Sequence, residues 1–163
     1  HIGMIKKTFN FSFLLIYLLL NGCGFKPILV GSNYDFSIKV ANASGDSQVN
    51  SQIENKLKSL NGIKKIYKIN LKSKKTNNII SKDSKGDPTI LEIVINLNYM
   101  LTENGKVLTN RSLTQRSTYN NISDKFELRK SEETLKDSLV ENLVTDIINS
   151  ASNLILNPMV NDN

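Results

Sequence analysis

Thr89-Ile90-Leu91-Glu92-Ile93-Val94-Ile95-Asn96-Leu97-Asn98-Tyr99-Met100-Leu101 decides how this chain folds. Every second residue from Leu91 to Leu101 is large and apolar, so a strand through this stretch buries one face along its whole length. Glu103-Asn104-Gly105 turns the chain, and Val107 to Tyr119 returns beside it. A two-residue Asn-Gly loop would set Leu97 opposite Ser112 and Ile93 opposite Arg116, mixing apolar with polar faces. A three-residue loop with Gly105 in the left-handed region sets Val107 opposite Leu101, Leu113 opposite Ile95 and Arg116 across from Glu92. The second register keeps each face of one kind and is the one expected.

Working outward, Tyr34, Phe36, Ile38 and Val40 alternate with polar residues and predict a strand, ended by a turn at 43–46. Val49, Ile53, Leu57 and Leu60 form one apolar stripe on a helix over 47–60, with Ser51 and Glu54 as a possible capping box and Asn61-Gly62 as its stop. A strand over about 63–73 follows, with Tyr67, Ile69 and Leu71 alternating against lysines. Strand, helix and strand in that order make a crossover, which favours parallel pairing. Residues 72–88 carry no period and predict a mobile loop. Leu135, Leu139, Leu143, Ile147, Ala151 and Leu154 run along a last helix over 131–156, with Ser131 as N-cap and Asn157-Pro158 as its end. The order is β-α-β-β-β-α. The fold class is α+β, an α/β sandwich with two helices packed on one face of a four-stranded mixed sheet, its strand order left open. The other face, through Ile90, Glu92, Val94, Asn96, Asn98 and Met100 and through Leu108, Asn110, Ser112, Thr114 and Arg116, has no helix to cover it and is mostly polar.

The amino-terminal segment reads differently. Lys6 and Lys7 precede an apolar run from Phe9 to Leu20, and Leu20-Asn21-Gly22-Cys23 closes it. A positive start, a short apolar stretch and a small-residue site ending in cysteine are the three parts of a bacterial lipoprotein signal. Twelve helical residues reach only about 18 Å, short of the roughly 30 Å of a hydrocarbon core, so a membrane-spanning helix is disfavoured. Asn10 and Ser12 interrupt the run further, and it lacks the amphipathic face of a core helix. Met4-Ile5-Lys6-Lys7 is the expected start. The expected organisation is a cleaved signal over 1–22, a lipidated tether over 23–33, a single domain over 34–157 and a short tail over 158–163. Cys23 would then carry N-acyl and S-diacylglycerol lipid, anchoring the protein to the membrane. Gly24 stands where aspartate would signal inner-membrane retention, which favours the outer membrane.

About 140 residues follow the signal, enough for one domain. The chain's formal charge is +6, and Lys6 and Lys7 leave with the signal to give +4. The excess accompanies a general richness in Lys, Asn and Ile, which weakens it as a sign of an anionic partner, although it still raises affinity for phosphorylated surfaces; no nucleic-acid partner is expected. Cys23 is the only cysteine and His1 the only histidine. The domain therefore has no internal disulfide, no histidine-based triad and no histidine metal site. It has neither a P-loop nor a dinucleotide fingerprint. No catalytic residue, metal or further cofactor is expected, and the protein is read as a non-enzyme.

Cys23-Gly24-Phe25-Lys26-Pro27-Ile28-Leu29, together with the order of elements and Arg116-Ser117-Thr118-Tyr119-Asn120-Asn121 before the last helix, resembles the LPS-assembly lipoprotein family, LptE. The resemblance implies an outer-membrane lipoprotein on the periplasmic side. It would plug and help assemble an LptD-like β-barrel and contact lipopolysaccharide. Arg and Lys suit the phosphates of that ligand, and Lys106, Arg111 and Arg116 are the candidate contacts. For Arg116 the competing role is a cross-strand pair with Glu92. Lys64-Lys65 and Lys72-Lys74-Lys75 read as a solvated edge. The alternative reading is another envelope lipoprotein, an accessory of barrel assembly or of a lipid-transport ABC system. An anchored hydrolase is the remote third.

Overall fold

A computed structural model describes residues 34–156. The signal segment 1–22, Cys23 with its tether to residue 33, and residues 157–163 lie outside the described residues. The described chain runs β1 (Phe36–Gly45), α1 (Ser47–Leu57), β2 (Lys65–Lys82), β3 (Pro88–Glu103), β4 (Lys106–Asn120) and α2 (Lys125–Leu156). The sheet order is β1-β2-β3-β4. β1 and β2 pair in parallel across the α1 crossover, and the other two pairings are antiparallel. The α+β class, the mixed sheet and the parallel first pair are as the sequence implies.

α1 packs on β1 and β2, α2 packs on β3 and β4, and the helices touch each other. The core lies between helices and sheet. It takes Phe36 and Ile38 from β1, Tyr67, Ile69 and Leu71 from β2, and Ile93, Ile95, Leu97, Tyr99 and Leu101 from β3. Val49, Ile53 and Leu57 of α1 and Leu143, Ile147 and Ala151 of α2 close it from above. The strand period of two and the helix period near 3.6 thus meet in one layer.

The expected mobile loop over 72–88 is corrected. β2 continues to Lys82, paired with β3 from Lys72↔Asn98 to Lys82↔Pro88, and only residues 83–87 connect the strands. Asp83 organises that turn: its Oδ1 accepts from the N–H groups of Lys85 and Asp87, each at 2.9 Å. Beyond Ser73 most β2 side chains are exposed on both faces, so backbone pairing to β3 holds the strand without an apolar period.

The hairpin register is also corrected. Asn104 (φ 50°) and Gly105 (φ 83°) make a two-residue loop with positive φ at both central positions, the twist that suits a hairpin. Glu103 faces Lys106 and Thr102 faces Val107, but Leu101 faces Thr109, leaving Leu108 unpaired as a bulge. That extra residue restores the face parity that a plain two-residue loop would spoil. Leu113 therefore lies opposite Leu97, and Arg116 opposite Val94, instead of Ile95 and Glu92.

β1 runs on to Gly45, through the expected turn, because a second bulge at Ala41 lets it follow β2. Gly45 (φ +94°) is required there, since a Cβ would fall onto the Ser73 carbonyl. α1 is capped by Asp46, whose Oδ1 accepts from Val49 N–H at 2.9 Å, not by Ser51. It ends at Leu57, so Leu60 is buried from the segment beyond it. α2 begins at Lys125, six residues before Ser131, where the sequence places its start. Asp124 Oδ1 accepts from Phe126 and Glu127 N–H at 2.9 and 3.2 Å and so supplies the cap. Ser131 is interior, and the helix reaches about 48 Å.

Candidate functional site

The face of the sheet turned away from both helices is left uncovered by the described elements. Register alone places its rows. Lys39, Lys68, Thr102 and Val107 cross the four strands in line. The next row is Asn42, Asn70, Met100 and Asn110, and the next Ser44, Lys72, Asn98 and Ser112. Lys74, Asn96 and Thr114 follow, then Thr76, Val94 and Arg116, then Asn78, Glu92 and Thr118. Amides and hydroxyls dominate, with Lys39, Lys68, Lys72, Lys74 and Arg116 as the cations and Glu92 as the one acid in these rows. The four lysines are exposed and have no carboxylate within 4.0 Å among the described residues.

Local hydrogen bonds hold the amides in place. Asn42 Nδ2 donates to Asn70 Oδ1 at 3.1 Å, and Thr114 Oγ1 donates to Asn96 Oδ1 at 2.8 Å. A shallow depression of about 480 Å³ crosses the middle rows, lined by Asn42, Asn70, Lys72, Asn98 and Asn110. Such a surface offers hydrogen bonds and positive charge to a hydroxylated or anionic partner. It contains no nucleophile paired with a base.

The three sequence-derived candidates do not meet. Lys106 is at the exposed tip of the β3–β4 hairpin. Arg116 is on the open face; its Nη1 lies 3.9 Å from Glu92 Oε1, so the competing ion pair forms diagonally instead of directly across. Arg111 is on the opposite, helix side of β4. Its Nη1 donates to Ser150 Oγ at 2.9 Å, and the same hydroxyl accepts from the buried Tyr99 phenol at 2.8 Å. Arg111 has no carboxylate within 4.0 Å among the described residues.

Lys72 and Lys74, read from sequence as a solvated edge, belong to the open face, while Lys75 turns to the helices and meets Glu132 at 3.6 Å. Glu132 also accepts from Asn77 Nδ2 at 2.8 Å. The Tyr119 phenol is raised above its usual range by burial and then by the Glu132 charge and hydrogen bond. The signal for the open-face lysines was available: Lys68, Asn70, Lys72 and Lys74 keep the period of two set by Tyr67, Ile69 and Leu71. Among the described residues no group of three or more His, Cys, Asp and Glu side chains could hold a metal, and no helix is long and apolar enough to cross a membrane.

No protein-family model matches this sequence, and neither does any curated protein. Solved structures do. Rare lipoprotein B from Shewanella oneidensis superposes with a TM-score of 0.56 at 12% identity, over 75% of this chain and 96% of that one. A minor lipoprotein from Acinetobacter baumannii gives 0.51 at 14% identity, over 72% and 91%. Lipoprotein B from Nitrosomonas europaea gives 0.51 at 14% identity, over 76% and 87%. This chain has the rare lipoprotein B fold. Rare lipoprotein B is the LptE-type lipoprotein, so the resemblance read from Cys23-Gly24-Phe25 and the superposition of the described domain point the same way. In the rare lipoprotein B fold as this chain builds it, the helices shield one face of the sheet, and no described element covers the other.

Proposed function

We propose that this protein is an outer-membrane lipoprotein of the LptE type, held by N-acyl and S-diacylglycerol lipid on Cys23 at the periplasmic side. It partners and plugs an LptD-like β-barrel during delivery of lipopolysaccharide to the cell surface, and it acts without catalysis. The observation that carries this reading is the bare, amide-rich and basic sheet face on a rare lipoprotein B fold. A water-filled barrel lumen is lined by polar side chains, and a face of Asn, Ser, Thr and Lys can meet such a wall without burying unpaired groups. The same lysines suit the phosphates of lipopolysaccharide as point charges. Lys106, Arg111 and Arg116 are proposed as separate contacts along β4, since no single phosphate group can bridge opposite faces of one strand.

The test is co-purification. Membranes from the native host are solubilised in mild detergents and the protein is drawn out under salt low enough to keep charged contacts. A large outer-membrane barrel should come with it in stoichiometric amount, and charge reversal at Lys68, Lys72 and Lys74 together should reduce recovery. Acylated protein alone in every detergent, or a different envelope machine as the consistent partner, would replace this reading.

A further inference from the structure

β4 is an edge strand whose outer side pairs with no other strand among the described residues. From Thr109 to Asn120 its register to β3 is unbroken, a straight run of roughly 40 Å. Along such an edge alternate residues aim both N–H and C=O outward. Edge strands usually carry a device that discourages pairing: a proline, a mid-strand charge or a bulge. β4 has no proline, and its bulge is at Leu108, before the straight run begins; its mid-strand charges are Arg111 and Arg116, which repel a basic strand but not an acidic one. β1, the opposite edge, is shorter and is broken by its own bulge at Ala41.

The side chains of this edge say what could pair with it. β4 holds Lys106, Arg111 and Arg116 and not one acid. A second copy of β4 would bring like charges together, which disfavours self-pairing. Arg111 and Arg116 are five residues apart, an odd number, so they project from opposite faces about 16 Å apart. Arg111 is held in orientation by Ser150 and lacks a carboxylate partner; Arg116 has one only at 3.9 Å. A compact anion reaches one of them. An added strand reaches both, because its own side chains alternate between the same two faces. Exposed Val107 at one end of the run and exposed Ile122 and Phe126 at the other offer apolar contacts to the ends of such a strand.

We propose that β4 is a strand-addition site for an extended segment of a partner protein carrying two carboxylates five residues apart, one for Arg111 and one for Arg116. The site does not rest on the barrel reading: the segment can belong to any envelope partner. Backbone hydrogen bonds would supply affinity, and the carboxylate spacing would supply register.

The probe is a blocked Thr/Val peptide of about eleven residues with two glutamates five positions apart, added to the full chain purified from its host. Its control has the glutamates four apart, on one face. Hydrogen exchange followed by mass spectrometry should show saturable protection within 109–120, with the first peptide about tenfold tighter than the control. Arg116→Gln should erase most of that preference; Arg111→Gln should do the same, and melting curves of both variants report whether the domain is intact. Arg116→Gln alters an exposed side chain, so it keeps the test decisive if Arg111→Gln fails to fold. Equal affinity for the two peptides, protection on β1 or the open face instead, or protection of β4 that follows protein concentration without peptide would overturn the proposal.

Discussion

Two tyrosines in one core layer should respond with opposite signs to loss of a single oxygen. Tyr67 of β2 is fully buried against Phe36, with ring centroids 5.7 Å apart, and its hydroxyl has no hydrogen-bond partner among the described residues. Tyr99 of β3 is equally buried, but its hydroxyl donates to Ser150 Oγ at 2.8 Å. An unpaired buried hydroxyl costs about 1–3 kcal/mol, whereas a formed hydrogen bond contributes about 1 kcal/mol net. Tyr67→Phe should therefore stabilise by about 1 kcal/mol and Tyr99→Phe should destabilise by a similar amount. At about 4 °C per kcal/mol for a domain of this size, the two melting temperatures should stand about 8 °C apart, astride the parent. Urea denaturation at neutral pH should move the midpoints in the same directions with unchanged slopes. Burial, and then the Glu103 charge, raises the Tyr67 phenol above its unfolded value of 10.0. The unfolded chain thus releases that proton first. Stability is intact below pH 10 and falls as pH rises through the folded value, so the advantage of Tyr67→Phe should grow above pH 10. Loss of 1 kcal/mol or more in Tyr67→Phe at neutral pH would refute the reasoning.

Gly45→Ala forces a Cβ onto the Ser73 carbonyl at a positive φ, and chemical denaturation should register a loss above about 2 kcal/mol. Deleting Leu108 removes only the unpaired bulge residue and should leave the core signals of an NMR spectrum in place. Deleting Ser112 instead puts Leu113 and Tyr119 on the wrong face, and should cost about 3 kcal/mol or abolish folding. Asp124→Ala should fray the first turns of α2, with faster hydrogen exchange at 126–128 and a loss of about 1 kcal/mol.

The hairpin core, the crossover and both helices were legible because burial on one side leaves a period in the residue order. Legibility failed where burial stops deciding. Past Ser73 the only large apolar residues of β2 are Ile79 and Ile80, adjacent and both exposed, so no period in Lys74 to Lys82 distinguishes a paired strand from a loop; its partner β3 carries the apolar signal for both. Two registers that differ by two residues keep the same faces, so parity could exclude the plain Asn-Gly hairpin but could not find the bulge at Leu108. The start of α2 is hidden because its buried stripe begins only beyond the first turns, while Ile122 and Phe126 on either side of the Asp124 cap are exposed. Of the site, the separation of Arg111 from Arg116 was already present in their odd spacing. The joining of Lys39, Lys68, Lys72 and Lys74 into one face needed the sheet order, which no single strand contains.

Processing ahead of Cys23 is the step that would hold the open sheet face at the membrane. Intact-mass and peptide mass spectrometry of the protein from its native host tests this directly. The account requires an amino terminus at Cys23 carrying diacylglycerol and an N-linked acyl chain. A chain that retains residues 4–22 and a free Cys23 thiol would contradict it.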